Sequence, residues 1–426
     1  MLTIKRVATV VSNYQEEGGE KDNTAVAVEG EAKGCGRNCL GKCCLPASDL
    51  PLYTFKGEDC AEESIFYQKP PETSFLLNLL LGQWKNRMNR GLFCYDVTKC
   101  KTKVIPSDYG FIVQLNEVDQ VLQDFDEKKF NFTKVGHEEV LFMFEQSDDC
   151  YSHFFPSAPA IFKPTSPNVV AINVSPIEYG HILLIPHVLD CLPQRIDRMS
   201  FFLALSLAKE AADPFFRVGY NSLGTFATIN HLHFQAYYLA SPFPVEKVPT
   251  LRVMTSTSML RNGVVVSQLL KFPVRSLVFE GRDTLWDLSS AVANSCIRLQ
   301  HNNIPFNVLI ANCGKRVFLF PQCYVEKQAR GEVSQELLET QVNPVVWEIG
   351  GHIVLKRRED FENALEDYAW RLLSEVSLSE EKAAGLREID TEAYNLHQNE
   401  EAVSSSSAAT ATSHLHQDCL VVKGRA

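Results

Sequence analysis

The sequence predicts an α+β fold of two tandem halves with antiparallel sheets and packed helices, on three observations. Residues 168–239 read as strand, strand, helix, strand, strand, and from residue 284 the order helix, strand, turn, strand returns. The chain has 426 residues, 45% hydrophobic and 22% charged, which is ordinary globular usage and more than one usual domain's length.

Each element has a local reason. Val169–Val174 and Ile182–Ile185 are rich in β-branched and aliphatic residues, and Pro176 with Gly180 supplies the turn of a hairpin. Met199–Ala212 has helical composition and stops before Asp213-Pro214, because the residue before proline disfavours the helical region. Phe216–Asn221 and Thr228–Leu239 give two further strands. After Pro242-Phe243-Pro244 the chain restarts. Residues 284–299 form an amphipathic helix, with Leu285, Leu288, Val292 and Cys296 on one face and Asp283 as N-cap. Strands at 305–311 and 316–321 follow, around a Cys313-Gly314 turn. Residues 359–376 read as one helix, and Ser377 with Glu380 as a capping box for another. The Ser/Ala/Thr run from Ser404 lacks apolar periodicity and is expected to be disordered. The boundaries are a Cys/Gly-rich segment at 1–60, a first half at 61–245, a second at 246–376, and a C-terminal helix and tail at 377–426.

Composition narrows the partners. A net charge of −11 argues against general attraction to nucleic acid or anionic membranes, so an anionic substrate needs a local positive site. Arg217, Arg37, Lys42 and Lys134 are the candidate cations. The longest apolar stretches, Phe75–Leu81 and Phe201–Ala208, fall short of the ~20 residues that span a bilayer. Thirteen cysteines, an odd number, with no apolar leader at Met1–Ser12, suggest a reducing, cytoplasmic setting. Lys356-Arg357-Arg358 is either a nuclear signal or a solvated helix start. Cys35, Cys39, Cys43 and Cys44 lie at the edge of zinc-ligand spacing without a second half, so no metal is expected.

The chemistry concentrates in Asn230-His231-Leu232-His233-Phe234-Gln235. Strand alternation would place His231, His233 and Gln235 on one face, with Leu232, Phe234 and Ala236 on the other. Neutral imidazole is a nucleophile near pH 7, and a covalent phosphorus–histidine bond splits a hard displacement into two easier ones. His233, in the centre, is the natural attacker. Gln235 can donate to a phosphoryl oxygen but cannot protonate a leaving group, which suits one that is already a weak base, such as a sugar phosphate. A core pair or a zinc pair remains the plain alternative, and His414-Leu415-His416-Gln417 repeats the pattern in the tail, so context must decide.

That context is the joint occurrence of VAINVSPIEYGH, GYNSLG, NHLHFQAYYLA, LDCLPQRID, GLFCYDVT and NPVVWEI. With the strand–helix order, these words resemble the transferase branch of the histidine triad superfamily, and within it the plant GDP-L-galactose phosphorylase family, from about Met1 into the 370s. The resemblance implies two histidine triad-like halves, of which only the first carries the histidines. It makes His233 the nucleophile that becomes guanylylated, with His231 and Gln235 flanking the phosphorus. Asn173 then contacts ribose, Asn221 with Ser222 reaches the α-phosphate, Gly180 bends the hairpin under the nucleotide, and His181 is mainly structural. The implied substrates are GDP-L-galactose and inorganic phosphate, without cofactor, in L-ascorbate biosynthesis; GDP-D-glucose is the alternative, or a weakly active regulatory protein on the same fold. Relatives carry about a dozen further residues with a basic element between Glu117 and Val118, a loop whose loss costs folding little but is expected to slow turnover.

Overall fold

The computed structural model describes residues 2–3, 50–56, 74–117, 139–147, 152–157, 165–227, 229–253, 263–282 and 284–378. Its strands are β1 (Leu2–Thr3), β2 (Leu52–Lys56), β3 (Lys101–Val104), β4 (Ile112–Leu115), β5 (Val140–Ser147), β6 (His153–Phe155), β7 (Val169–Ile172) and β8 (Ile182–Ile185). There follow β9 (Phe216–Asn221), β10 (Phe234–Tyr238), β11 (Thr250–Arg252), β12 (Val264–Leu269), β13 (Leu277–Gly281), β14 (Phe306–Ala311), β15 (Arg316–Pro321) and β16 (His352–Leu355). The helices used below are α1 (Phe75–Asn89), α2 (Arg198–Ala211), α3 (Leu285–His301), α4 (Val346–Gly350), α5 (Arg358–Glu362) and α6 (Glu366–Val376).

Twelve strands form one sheet in the order β11-β12-β13-β15-β14-β9-β10-β8-β7-β5-β2-β6. Read outward from the central β9–β14 pair, the order is β9-β10-β8-β7 on one side and β14-β15-β13-β12 on the other. Each half is a hairpin, a helix and a second hairpin, and the halves meet edge to edge, antiparallel, with Asn221 opposite Asn307 and Val218 opposite Ile310. The duplication expected from the element order is thus written into the sheet. Its loops are not duplicated: residues 222–233 join β9 to β10, whereas the tight turn 312–315 joins β14 to β15. A second sheet, β1-β3-β4-β16, is antiparallel except where β16 runs parallel to β4.

Alternation divides the core between the faces of the large sheet. Val218, Tyr220, Phe234, Val308 and Ile310 pack under α1, α2 and α3 with Trp84, Phe201, Leu205 and Val292. Tyr237, Leu309 and Phe318 point the other way, onto Phe111, Val113, Trp347, Ile353 and Leu372 of the second sheet and its helices. Gly219 lies on that second face. A methyl group there would stand 2.6 Å from Val346 Cγ1 and 2.9 Å from Trp347 Cη2, so only glycine lets α4 lie directly on the sheet.

Several expectations need correction. The N-cap of α3 is Thr284, whose Oγ1 accepts the Asp287 N–H at 3.0 Å; Asp283 lies outside the described residues. The single helix expected over 359–376 is two, α5 and α6, separated by an extended Leu365, and the corner lets Phe361 and Leu372 both enter the core. Ser377 is the C-cap of α6, and its hydroxyl accepts the Arg275 N–H at 3.1 Å. Glu380, the cysteines at 35–44, the 118–138 junction and the tail lie outside the described residues. No helix among the described residues is long and apolar enough to cross a membrane.

Arg217 is not an anion-binding cation. Its side chain is fully buried, with Nε and Nη2 on the Glu246 carboxylate at 2.5 and 2.9 Å. Nη1 donates to the carbonyls of Phe215 and Leu239, both at 3.1 Å, and Nη2 to that of Ser241 at 2.9 Å. All five donors are committed, and Phe243 covers the guanidinium 4.2 Å from its ring centroid. Removing one member of such a buried pair leaves the other uncompensated, so Arg217→Ala is expected to lower unfolding free energy by ~3–5 kcal/mol in urea titration. A loss below ~1 kcal/mol would show that Glu246 finds water instead.

Candidate active site

The histidine segment departs from strand geometry. Regular pairing begins only at Phe234, opposite Leu184, while His231 and His233 lie in the irregular approach to β10. The alternation nevertheless survives: Leu232, Phe234 and Ala236 are buried, and His231, His233 and Gln235 are only partly so. The apolar anchors hold the approach down without a ladder, because Leu232 N–H donates to the Leu192 carbonyl at 2.7 Å.

His233 is oriented by the chain itself. Its Nδ1 lies 2.7 Å from the His231 carbonyl oxygen, which can only accept, so Nδ1 carries the proton and Nε2 keeps the free lone pair of the neutral ring. Burial holds the His233 pKa below the ordinary imidazole value and outweighs the hydrogen bond to the His231 carbonyl, which acts to raise it. The ring is therefore an unprotonated nucleophile at neutral pH. Its backbone is clamped by Gln194, a residue that single-residue reasoning missed although it lies in the LDCLPQRID word. Gln194 Oε1 accepts the His233 N–H at 2.9 Å, and Nε2 donates to the carbonyls of His233 at 3.2 Å and Asn221 at 2.9 Å. The clamp is itself braced by Asn230 Oδ1 on the Gln194 N–H at 2.9 Å and by Tyr220 Oη on its carbonyl at 2.9 Å.

His181 is buried behind the strand. Its Nδ1 accepts the Ile177 N–H at 2.9 Å, which puts the ring proton on Nε2, and that N–H donates to the Gln235 side chain. The Asn173 Nδ2, 3.5 Å from the same Nε2, is then a donor facing a donor and makes contact only. Gln235 Oε1 also accepts the Trp347 indole N–H at 3.3 Å. His181, Gln235 and Trp347 thus link the hairpin, the site strand and the second half.

The remaining expected residues divide. Asn221 is buried at the end of β9, and its Oδ1 accepts Asn307 Nδ2 at 2.7 Å and Val346 N–H at 3.0 Å, leaving its NH2 as the uncommitted end. Asn173 Oδ1 accepts the Ser175 N–H at 3.0 Å, an Asx turn that shapes the hairpin tip. The two other residues expected at the substrate also have structural duties. The Ser222 hydroxyl accepts the Phe306 N–H at 2.9 Å and donates to the Leu223 carbonyl at 3.2 Å, so it fastens the two halves and keeps one lone pair with which it can only accept. Gly180 is buried with φ +71°, and a methyl group there would stand 2.5 Å from Leu81 Cδ2, so it serves the packing of α1 against the hairpin.

The buried histidines carry a pH consequence. Burial pushes the His181 pKa down to about 3, against ~6.5 in an unfolded chain, and His231 and His233 are lowered too. Below pH ~6.5 the unfolded state takes up protons that the folded state refuses. Stability is therefore full above that pH and, for His181, falls with acid between about 6.5 and 3 by up to ~1.4 kcal/mol per pH unit, with His231 and His233 acting in the same direction. Urea midpoints from pH 7.5 to 5 check this, and the slope must become shallower in His181→Asn; an unchanged slope would place the titration elsewhere.

Comparison with known proteins places the chain in a family. The GDPGP1-like N-terminal domain matches residues 75–237, and the GDPGP1-like C-terminal domain matches residues 244–395. GDP-L-galactose phosphorylase 1 of Arabidopsis thaliana is 58% identical over 94% of this chain and 91% of its own length, and GDP-L-galactose phosphorylase 2 is 57% identical over 92% and 89%. GDP-D-glucose phosphorylase 1 of Danio rerio is 30% identical over 72% of this chain and 88% of its own. In fold, the chain is similar to the crystal structure of yeast Ap4A phosphorylase Apa2 in complex with AMP, at TM-score 0.51 and 15% identity over 72% of this chain and 98% of that one. With both domains matched across the duplicated sheet, the chain belongs to the GDPGP1-like family of histidine triad fold, together with the plant GDP-L-galactose phosphorylases.

Proposed function

We propose that this protein is a GDP-L-galactose phosphorylase, converting GDP-L-galactose and inorganic phosphate to L-galactose 1-phosphate and GDP. The observation that carries the reading is the Nδ1–H to carbonyl bond of His233, which presents Nε2 as a fixed, neutral nucleophile. Identity of 57–58% to the two Arabidopsis phosphorylases supports the choice of sugar over the GDP-D-glucose alternative, whose named representatives stand at 23–31%.

The reaction is a double displacement. His233 Nε2 attacks the α-phosphorus and the bond to the β-phosphate oxygen breaks, releasing L-galactose 1-phosphate. The departing phosphate is a weak base and needs no proton from the enzyme, so an amide at 235 suffices where an acid would otherwise be required. As the ring gains positive charge, the His231 carbonyl stabilises it through the Nδ1–H. A phosphate oxygen then attacks the guanylyl-histidine, the P–Nε2 bond breaks, its electron pair returns to the ring, and GDP leaves. The NH2 ends of Gln235 and Asn221 are the donors available to the phosphoryl oxygens in both steps.

Two outcomes are expected. Wild-type protein given GDP-L-galactose without phosphate should gain one acid-labile GMP by intact mass, and His233→Ala should neither gain it nor turn over; full activity without any adduct would exclude the covalent route. Gln194→Leu should lower kcat by ~10²-fold with KM nearly unchanged, because loosening the backbone clamp displaces the nucleophile rather than the substrate. Equal kcat in that variant would show that the apolar anchors alone hold the segment.

A further inference from the structure

The second half has no His-x-His segment, yet one of its elements makes specific polar contacts with the site. Within α4, the Val346 backbone N–H reaches Asn221 Oδ1 at 3.0 Å, and the Trp347 indole N–H reaches Gln235 Oε1 at 3.3 Å. Both groups can only donate, so the chemistry, not the shape of the amides, decides which end of each faces α4. Asn307 Nδ2 on Asn221 and the His181 N–H on Gln235 reinforce the same choice. Both site amides are held with oxygen inward and nitrogen outward.

α4 is rigidly seated. Trp347 is fully buried, with its ring centroid 4.1 Å from that of Tyr237, and Tyr237 Oη lies 2.7 Å from His352 Nδ1. Beneath it, Gly219 leaves no space for displacement.

We infer that Trp347 is a positioning residue that, by fixing the Gln235 amide, makes phosphate rather than water the acceptor of the guanylyl group; this rests on the phosphorylase reading above. An outward NH2 donates to phosphoryl oxygens and attracts the anionic acceptor. A reversed amide would turn its carbonyl oxygen outward, repelling phosphate and accepting an O–H from water. With phosphate, a P–O bond forms as P–Nε2 breaks, and GDP results. With water, the same P–N bond breaks, GMP results and a proton passes to solvent. The GMP:GDP ratio therefore reports amide orientation, which packing alone would not move.

The test is that ratio in wild type, Trp347→Phe, Gln235→Leu and the double variant, with GDP-L-galactose and phosphate, alongside the Tm of each. Trp347→Phe should raise GMP:GDP about threefold to tenfold, the worth of one hydrogen bond, with KM for GDP-L-galactose little changed. In the Gln235→Leu background the same change should add nothing. Should Trp347→Phe not fold, Gly219→Ala displaces α4 with every site side chain retained and should raise the ratio likewise. An unchanged ratio in whichever variant folds, or a full additional shift in the double variant, overturns the proposal. Wild type that releases no GDP overturns the phosphorylase reading itself, and this inference with it.

Discussion

The pairing of β9 with β14 is the constraint on which the rest depends. It is formed by two strands that are each buried along their whole length, so neither half could expose that edge to water without leaving a row of backbone groups unpaired. Edge-to-edge joining extends one sheet through both halves and puts Asn221 opposite Asn307 at the seam. From there a buried amide chain runs outward: Asn307 Oδ1 accepts from Gln322 Nε2, and Asn221 Oδ1 accepts from Asn307 Nδ2. The site amide is thus oriented by groups that belong to the other half. A single half could keep its histidines and still lack the polar frame around them.

The unequal connections give each half a distinct task. The first keeps residues 222–233, whose length allows the histidines to leave the ladder and approach a substrate. The second closes the same connection with Asn312, Cys313 and Gly314, all at positive φ, and devotes its faces to packing. A tight turn cannot carry a nucleophile away from the sheet. What the second half contributes instead is rigidity, through Trp347 against Tyr237 and through the amide of Gln300, which brackets Ile196 with bonds of 2.6 and 3.0 Å two residues from the Gln194 clamp.

Much of this was legible in the sequence because it depends on local pattern. Hydrophobic period and turn residues located both halves, and the alternation of Leu232, Phe234 and Ala236 located the anchors beneath the histidines. The strand boundary was missed because alternation reports which side chains are buried, not whether the backbone is paired. The structural partners of Arg217 and Ser222 were not legible for a different reason: the long-range contacts of a side chain are not written beside its motif. Those partners, Glu246 at 29 residues' separation and Phe306 at 84, leave no mark in local spacing. Gln194 and Trp347 were unreadable on the same ground, 39 and 112 residues from the groups they hold.

The arrangement also explains why the site can operate without an acid. A histidine in place of Gln235 would sit beside His181, whose own proton is committed to Nε2 because Nδ1 accepts the Ile177 N–H. A neutral imidazole there could also accept from His181 through its bare nitrogen, but unlike the amide it could take up a proton and act as an acid. Glutamine thus suits a leaving group that needs no proton, while still accepting from the buried ring. Under the proposed reaction the same amide, its oxygen held by Trp347, would leave water without a general base at position 235.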